Sequence, residues 1–212
     1  MNKFLLTAFT LLLMCFVPAF GQDVSFSPVT DVSALQRAVR QQSEATQTLS
    51  SLFVQEKYLD MLQDVLVSNG RFMYKKENSV RWEYTDPIRY TILIHDGKFT
   101  IDNDGKISEF STQSNPMFRE INKMIVTAIR GDFVGSPDFS PTYFENEEQV
   151  MARLVPASAQ VRSMIEYIEI YFQKSDMQVV KVLFAEPGGD YTAIRFTDNQ
   201  VNREIPDSEF LH

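Results

Sequence analysis

The side chains that could do chemistry are few, and their spacing argues against catalysis. His95 stands before Asp96-Gly97, and the other histidine, His212, is the last residue. A lone histidine ahead of a turn reads as a solvated turn residue, because a general acid or base needs a positioned partner. Glu83, Glu166 and Glu169 fall in segments of strand character and could form a carboxylate pair. Nothing in their spacing brings them together, so solvated strand faces account for them. Asp102-Asn103-Asp104-Gly105 superficially has the spacing of a calcium loop. However, Lys106 occupies the next ligand position and no acidic residue stands where a bidentate closing carboxylate belongs, so the segment reads as a hairpin turn. No His/Asp/Glu group has metal-ligand spacing, no glycine-rich loop could cradle a phosphate, and no serine sits in a Gly-x-Ser-x-Gly elbow. The expectation is a protein that is not an enzyme and carries neither cofactor nor metal.

Met1–Gly21 has the anatomy of a cleavable signal peptide. Lys3 supplies the positive end, Phe4–Val17 is an apolar run, and Ala19-Phe20-Gly21 offers small residues at the cleavage positions. The run falls short of the roughly 20 apolar residues that span a bilayer. Cys15 follows Met14, not the small residue that a lipidation site would need. Removing 21 of the 212 residues leaves 191, residues 22–212, read as one domain that contains no cysteine. Thiol chemistry, thiolate metal sites and disulfides are thereby excluded. Cleavage also removes Lys3, leaving 19 basic residues against 28 acidic and a net charge of −9. Such a chain is poorly matched to nucleic acid or to anionic lipid, so its contacts with membrane components must be apolar.

The elements that would position any site come next. Thr30 or Asp31 caps a helix whose weak stripe runs through Val32, Leu35, Val39, Ala45/Thr46 and Leu49. From Leu52 the period falls to two, and a strand follows from about Asp64 to Tyr74. Strands continue through Val80–Asp86 and Ile92–His95, with Lys98–Ile101 and Lys106–Phe110 forming a hairpin. A second helix is capped by Ser114 or Asn115, carries Pro116 in its first turn and ends at Gly131. Gly135–Pro141 reads as a loop, and a second β block spans Val150–Val155, Met164–Lys174, Met177–Ala185 and Tyr191–Thr197. Two of these, Met164–Phe172 and Val179–Phe184, are apolar on nearly both faces and must cover something. The class is α+β, with one large antiparallel sheet. Phe72 and Tyr74 share a strand face with Lys76, and Val80, Trp82 and Tyr84 share another. Aromatic stripes are usually core. Yet Met117 and Met124 on the second helix suit a surface that repacks against variable apolar ligands, and two helices are few for ten or so strands.

The run Asn69–Gly97 carries Gly-x-Phe, a basic pair, Arg81-Trp82, Asp86-Pro87 and a hydrophobic run into Asp96-Gly97. In that order it resembles the LolA family, periplasmic carriers of lipoproteins. Leu49–Gln55 is similar to the family's Ser-Ser…Phe-x-Gln strand entry, and Ile205–Phe210 to its ending. The resemblance implies a strongly curved, incompletely closed antiparallel β-barrel, a half-barrel, with a helical lid over a hydrophobic cavity. It implies a periplasmic, monomeric carrier that shuttles lipoproteins from inner to outer membrane by their acyl chains. An inner-membrane ATP-driven exporter would load it and an outer-membrane acceptor would unload it. By position, Phe72, Tyr74, Val80, Trp82, Tyr84 and Leu93 would line the cavity, and Met117, Ile121, Met124 and Ile125 would face it from the lid. The family usually has Arg-Pro after the Gly-x-Phe strand, and that arginine helps hold the lid shut. Here the pair is Lys76-Glu77, and lysine cannot reproduce the forked hydrogen bonding of a guanidinium, so Lys76 would be a different lid latch. That departure leaves open a carrier of the same fold for another acyl lipid or glycolipid, or a periplasmic sensor or interaction module using the groove.

Overall fold

The computed structural model describes residues 25–76, 79–111, 133–134 and 136–211. The signal peptide expected at Met1–Gly21 and the second helix expected over Pro116–Arg130 lie outside the described residues. Helix α1 (Val32–Ala45) begins where the Asp31 carboxylate accepts the Ala34 amide at 2.8 Å. Leu35 and Val39 are its buried residues. Thr46 turns extended, and its hydroxyl donates to the Gln42 carbonyl at 2.8 Å, closing the last turn. Leu49, the last member of the helical stripe by spacing, therefore already belongs to strand β2 (Thr48–Leu59), which also starts earlier than the change of period at Leu52 suggested.

The remaining strands are β1 (Ser27–Pro28), β3 (Asp64–Lys75), β4 (Ser79–Asp86), β5 (Tyr90–His95), β6 (Lys98–Asn103), β7 (Lys106–Ser111), β8 (Phe139–Glu145), β9 (Gln149–Pro156), β10 (Tyr167–Gln173), β11 (Val179–Ala185) and β12 (Tyr191–Val201). A four-residue helix α2 (Ala159–Arg162) precedes β10. All twelve described strands form one antiparallel sheet in the order β1-β8-β9-β10-β11-β12-β2-β3-β4-β5-β6-β7, an open half-barrel whose outer strands β1 and β7 do not meet. Strand β8 occupies part of the segment read from sequence as a loop, and β10 starts only at Tyr167, so Glu166 precedes the strand. The Asp102–Gly105 segment is the predicted hairpin turn. The Asp102 carboxylate accepts the Gly105 amide at 2.8 Å, and Asp104 and Gly105 both have positive φ.

Alternation puts two apolar clusters on the inner face. One joins Leu35 and Val39 of α1 to Phe133, Tyr143, Val150, Leu154, Ile168, Ile170, Phe172 and Val182. The other joins Phe53, Phe72, Tyr74, Val80, Tyr84, Ile94, Phe99 and Ile194. Phe184 and Phe196 pack against both. The outer face is covered differently. Beyond β12 the chain crosses β3–β5: Lys75 Nζ donates to the Ile205 carbonyl at 3.1 Å and pairs with Asp207, and Arg81 Nη1 donates to the Glu209 carbonyl at 3.0 Å. Buried Phe210 stacks on His95, whose Nδ1 lies 2.8 Å from Ser79 Oγ. His95 is thus part of a C-terminal clasp and not the solvated turn residue its sequence position suggested.

Glu169 is also not solvated. It is 6 % exposed on the outer face, where register sets Arg153 directly opposite. Arg153 Nη2 donates to Glu169 Oε1 at 2.6 Å and Tyr171 donates to Oε2 at 2.6 Å. The Arg153 guanidinium lies 4.7 Å from the Tyr167 ring centre and 5.9 Å from that of Phe144. These contacts explain why β10 is apolar or aromatic on both faces.

At Gly70 the strands meet closely. A Cβ there would collide with the Glu83 carbonyl oxygen and stand 2.5 Å from the Phe53 ring. Gly70→Ala is expected to cost about 3 kcal/mol, read as a lower urea midpoint with unchanged slope. The Glu83 carboxylate, on the outer face, accepts from Arg71 at 2.7 Å and from Arg81 at 3.2 Å. Partial burial opposes its ionisation, but the two guanidiniums outweigh that and hold it below the usual carboxylate range. A depressed folded-state value means stability that is present above the unfolded value and lost as pH falls through the folded one. Glu83→Gln should therefore destabilise the protein at neutral pH, and the gap to wild type should close as unfolding is repeated below the usual carboxylate range.

Candidate functional site

Between the two inner clusters lies a narrow, partly open apolar cavity. It sits where β12 and β2 join the two halves of the sheet, and the C-terminal half of α1 forms one wall through Val39, Gln42 and Ser43. Strands β10 and β11 contribute Ile168, Ile170, Phe172, Val179, Val182 and Phe184. Strand β12 adds Ile194, Phe196 and Val201, β2 adds Leu49, and β3 and β4 add Phe72 and Trp82. These side chains face inward because each strand alternates, with register shifts at Tyr171/Phe172 and Thr197/Gln200 bringing Val179 and Val201 to the same face. Phe72 pairs with Trp82, Trp82 with Ile92, and Val182 with Ile194.

Polar groups in the wall gather at one end, and several of them are hydrogen-bonded. Ser51 Oγ bonds Asn199 Oδ1 at 2.7 Å, Asn199 Nδ2 donates to the Val179 carbonyl at 3.3 Å, and Thr46 returns to α1. Trp82 packs against Phe53, Phe72 and Phe196 at centroid distances of 5.1, 5.2 and 6.1 Å. Its indole N–H is buried without a hydrogen-bond partner among the described residues. Among those residues no group of His, Cys, Asp or Glu could hold a metal ion, and no helix is long and apolar enough to cross a membrane. Walls made mostly of apolar side chains favour binding hydrocarbon over positioning a polar substrate.

The residues expected at the site separate into three groups. Phe72 and Trp82 line the cavity. Tyr74, Val80 and Tyr84 share their face but are packed into the neighbouring cluster. Tyr84 donates to Gln55 Oε1 at 2.8 Å and stacks on Tyr90 at 4.3 Å, and burial pushes its phenol up, so it stays neutral. Leu93 is a correction. Register pairs it with Arg81 and Thr100 on the outer face, where it is buried on the strand that the Asp207–Phe210 turn packs against; Ile92 and Ile94 hold the inner positions. Lys76 donates through Nζ to the Glu44 carbonyl at 3.4 Å and through its amide to the Gln47 carbonyl at 2.7 Å, tying β3 to the end of α1. Met117, Ile121, Met124 and Ile125 lie outside the described residues. The cavity wall from α1 and β10–β12 was not named from sequence, although the apolar character of both faces of β10 and β11 was the available signal.

No curated protein sequence gives a significant match. Among solved structures, an uncharacterized conserved protein from Thermus thermophilus superimposes with a TM-score of 0.52 at 9% identity, over 86% of this chain and 94% of that one. A LolA superfamily protein from Nitrosomonas europaea gives 0.45 at 10% identity, over 84% of this chain and 97% of that one. The Mycobacterium tuberculosis lipoprotein LppX gives 0.47 at 8% identity, over 83% of this chain and 99% of that one. Identities this low bear on fold alone. The family description "Outer membrane lipoprotein carrier protein LolA" matches residues 44–211, most of the chain, from the end of α1 to Leu211. On that match, the half-barrel with its apolar cavity belongs to the LolA family of outer membrane lipoprotein carrier proteins.

Proposed function

We propose that this protein is a periplasmic carrier that holds the acyl chains of lipoproteins in the cavity and shuttles them from the inner to the outer membrane. The observation that carries the reading is the partly open cavity with apolar walls between two packed clusters, in a chain of this family. Phe72 and Trp82 would contact the chains, together with Ile170, Phe184 and Phe196 from the other half of the sheet. Tyr74, Val80 and Tyr84 would support that wall from behind. The helix expected over Pro116–Arg130 would act as the lid, with Met117, Ile121, Met124 and Ile125 toward the cargo, and Lys76 would tie the sheet to α1 beside it.

Burying hydrocarbon stabilises it by about 0.8 kcal/mol per methylene, roughly 12 kcal/mol for a sixteen-carbon chain. A soluble carrier must offer comparable dry surface, and it can release its cargo only if a lid competes for that surface. The empty closed state and the loaded open state must therefore lie within a few kcal/mol of each other. Loading would draw on an inner-membrane ATP-driven exporter, and unloading on an outer-membrane acceptor with greater affinity for the chains.

The test is native mass spectrometry with lipid extraction on protein released gently from a periplasm. Co-purifying lipoprotein, lost in Phe196→Arg while the circular dichroism spectrum is kept, is the expected result. Free lipid without attached protein would instead make this a carrier of another acyl lipid. Trp82 is the one tryptophan of the chain, so its emission reads the cavity wall directly. Titration with palmitate should shift that emission saturably, and Phe196→Arg should weaken binding about tenfold or more, equivalent to about 1.4 kcal/mol. A protein that is clean when isolated and takes up no palmitate would return the cavity to ordinary core.

A further inference from the structure

The β2–β3 hairpin runs past its neighbour. Strand β3 pairs with β2 along its whole length but with β4 only from Asn69 onward, where Asn69 meets Asp86. The outward backbone edge of Asp64–Ser68 therefore has no partner strand among the described residues, and of its amides Val65 donates to the Asp64 carboxylate at 2.8 Å. Around this edge the side chains are apolar and exposed: Met61 is 92 % exposed, Leu62 65 %, Leu66 52 % and Val67 49 %, with Val65 and Ile88 completing the patch. Val65 and Val67 stand on the outer face and Leu66 on the inner one, so both sides of the free edge are apolar. The tip lies outside the cavity wall, and its residues take no part in the proposed cargo site.

Its surroundings are acidic. Asp60 and Asp64 flank the turn, Asp190 accepts the Asp60 amide at 2.8 Å, and Asp86 closes the β3–β4 pairing. The basic residues nearby are Lys57, which is ion-paired with Glu186, and Arg89 in the β4–β5 turn. Three occupants can be compared on these facts. A second copy would bring the same carboxylates together and is disfavoured by repulsion. A bilayer would cover the apolar side chains but leave the remaining edge N–H and C=O groups unpaired in hydrocarbon. An extended protein segment covers the side chains and satisfies the backbone at once. We propose that the free edge of β3 at Asp64–Ser68 is a docking site for an extended apolar segment of a partner protein flanked by basic residues, which adds to the sheet as a further strand.

The probe is a fluorescently labelled peptide of alternating valine and threonine with two lysines at each end, titrated into the full-length protein and read by anisotropy. Saturable binding is expected. It should weaken about tenfold or more when the lysines are replaced by glutamates, when alternate peptide nitrogens are methylated, and in Leu66→Asp or Met61→Asp. Both variants alter exposed side chains, and an unchanged urea midpoint would show that they fold. Absence of saturable binding would overturn the proposal, as would equal binding of the methylated peptide. Leu66-dependent sedimentation with phosphatidylcholine vesicles in place of peptide binding would assign the tip to a lipid surface and overturn it too, and so would Leu66-dependent dimerisation. No acyl ligand enters the assay, so the result is separable from the cargo reading.

Discussion

One run of backbone pairing, β12 against β2, holds the rest of the molecule in place. The chain makes two meanders, β2–β7 and β8–β12, and each is held together by pairing between neighbouring strands. Among the described strands, only the Tyr191↔Tyr58 to Val201↔Leu49 ladder converts them into one sheet. The cavity lies over that ladder, with Leu49, Ser51, Ile194, Phe196, Asn199 and Val201 in its wall. The register slip between Thr197 and Gln200 falls at the polar end, where Asn199 reaches Ser51 and the Val179 carbonyl. Position along this single ladder thus sets both where the apolar walls face each other and where several of their polar atoms are hydrogen-bonded.

The two faces of the half-barrel follow different rules. The inner face carries large apolar side chains that neighbours cover only in part. Among the described residues, helix α1 lies over the β8–β11 side and does not close over the junction. The outer face commits its polar residues to pairs dictated by register, Glu169 with Arg153 and Glu83 with Arg71 and Arg81, and to the C-terminal clasp. A buried carboxylate is tolerable because every one of its close neighbours is a donor or an aromatic ring. The convex side is thereby fixed, and any adaptability is confined to the concave side.

Much of this was legible in the residues. Alternation put Phe72 and Tyr74 on one strand face and Val80, Trp82 and Tyr84 on another, which register then joins, and the run Asn69–Gly97 pointed to the family. Leu93 was not legible, because Ile92-Leu93-Ile94 has no alternation and its facing comes only from the pairing with β4. Strand β8 was hidden by Pro141 and the Gly/Pro/Ser content before it. Proline is tolerated there because β1 covers only Phe144 and Glu145, leaving the rest of β8 near a sheet edge. Glu169 looked solvated because its partner lies 16 residues away, across a connection containing α2 that does not reveal register. The α1 stripe ran on to Leu49 because a residue one turn beyond a helix end keeps the helical spacing whether or not the helix continues.

The β12–β2 ladder also has a consequence for how the protein is made. Strand β2 precedes most of the sheet in any vectorial process and β12 is the last described strand, so the closing pairs join residues more than a hundred positions apart. Loop-closure entropy makes such non-local pairing slow relative to hairpin formation. Until β12 arrives, two half-sheets with unsatisfied apolar inner faces would coexist, joined by chain but not by hydrogen bonds. Such species aggregate readily. Maturation of this fold is therefore governed by its final strand, and its dependence on chaperones should be concentrated in the interval before that strand docks.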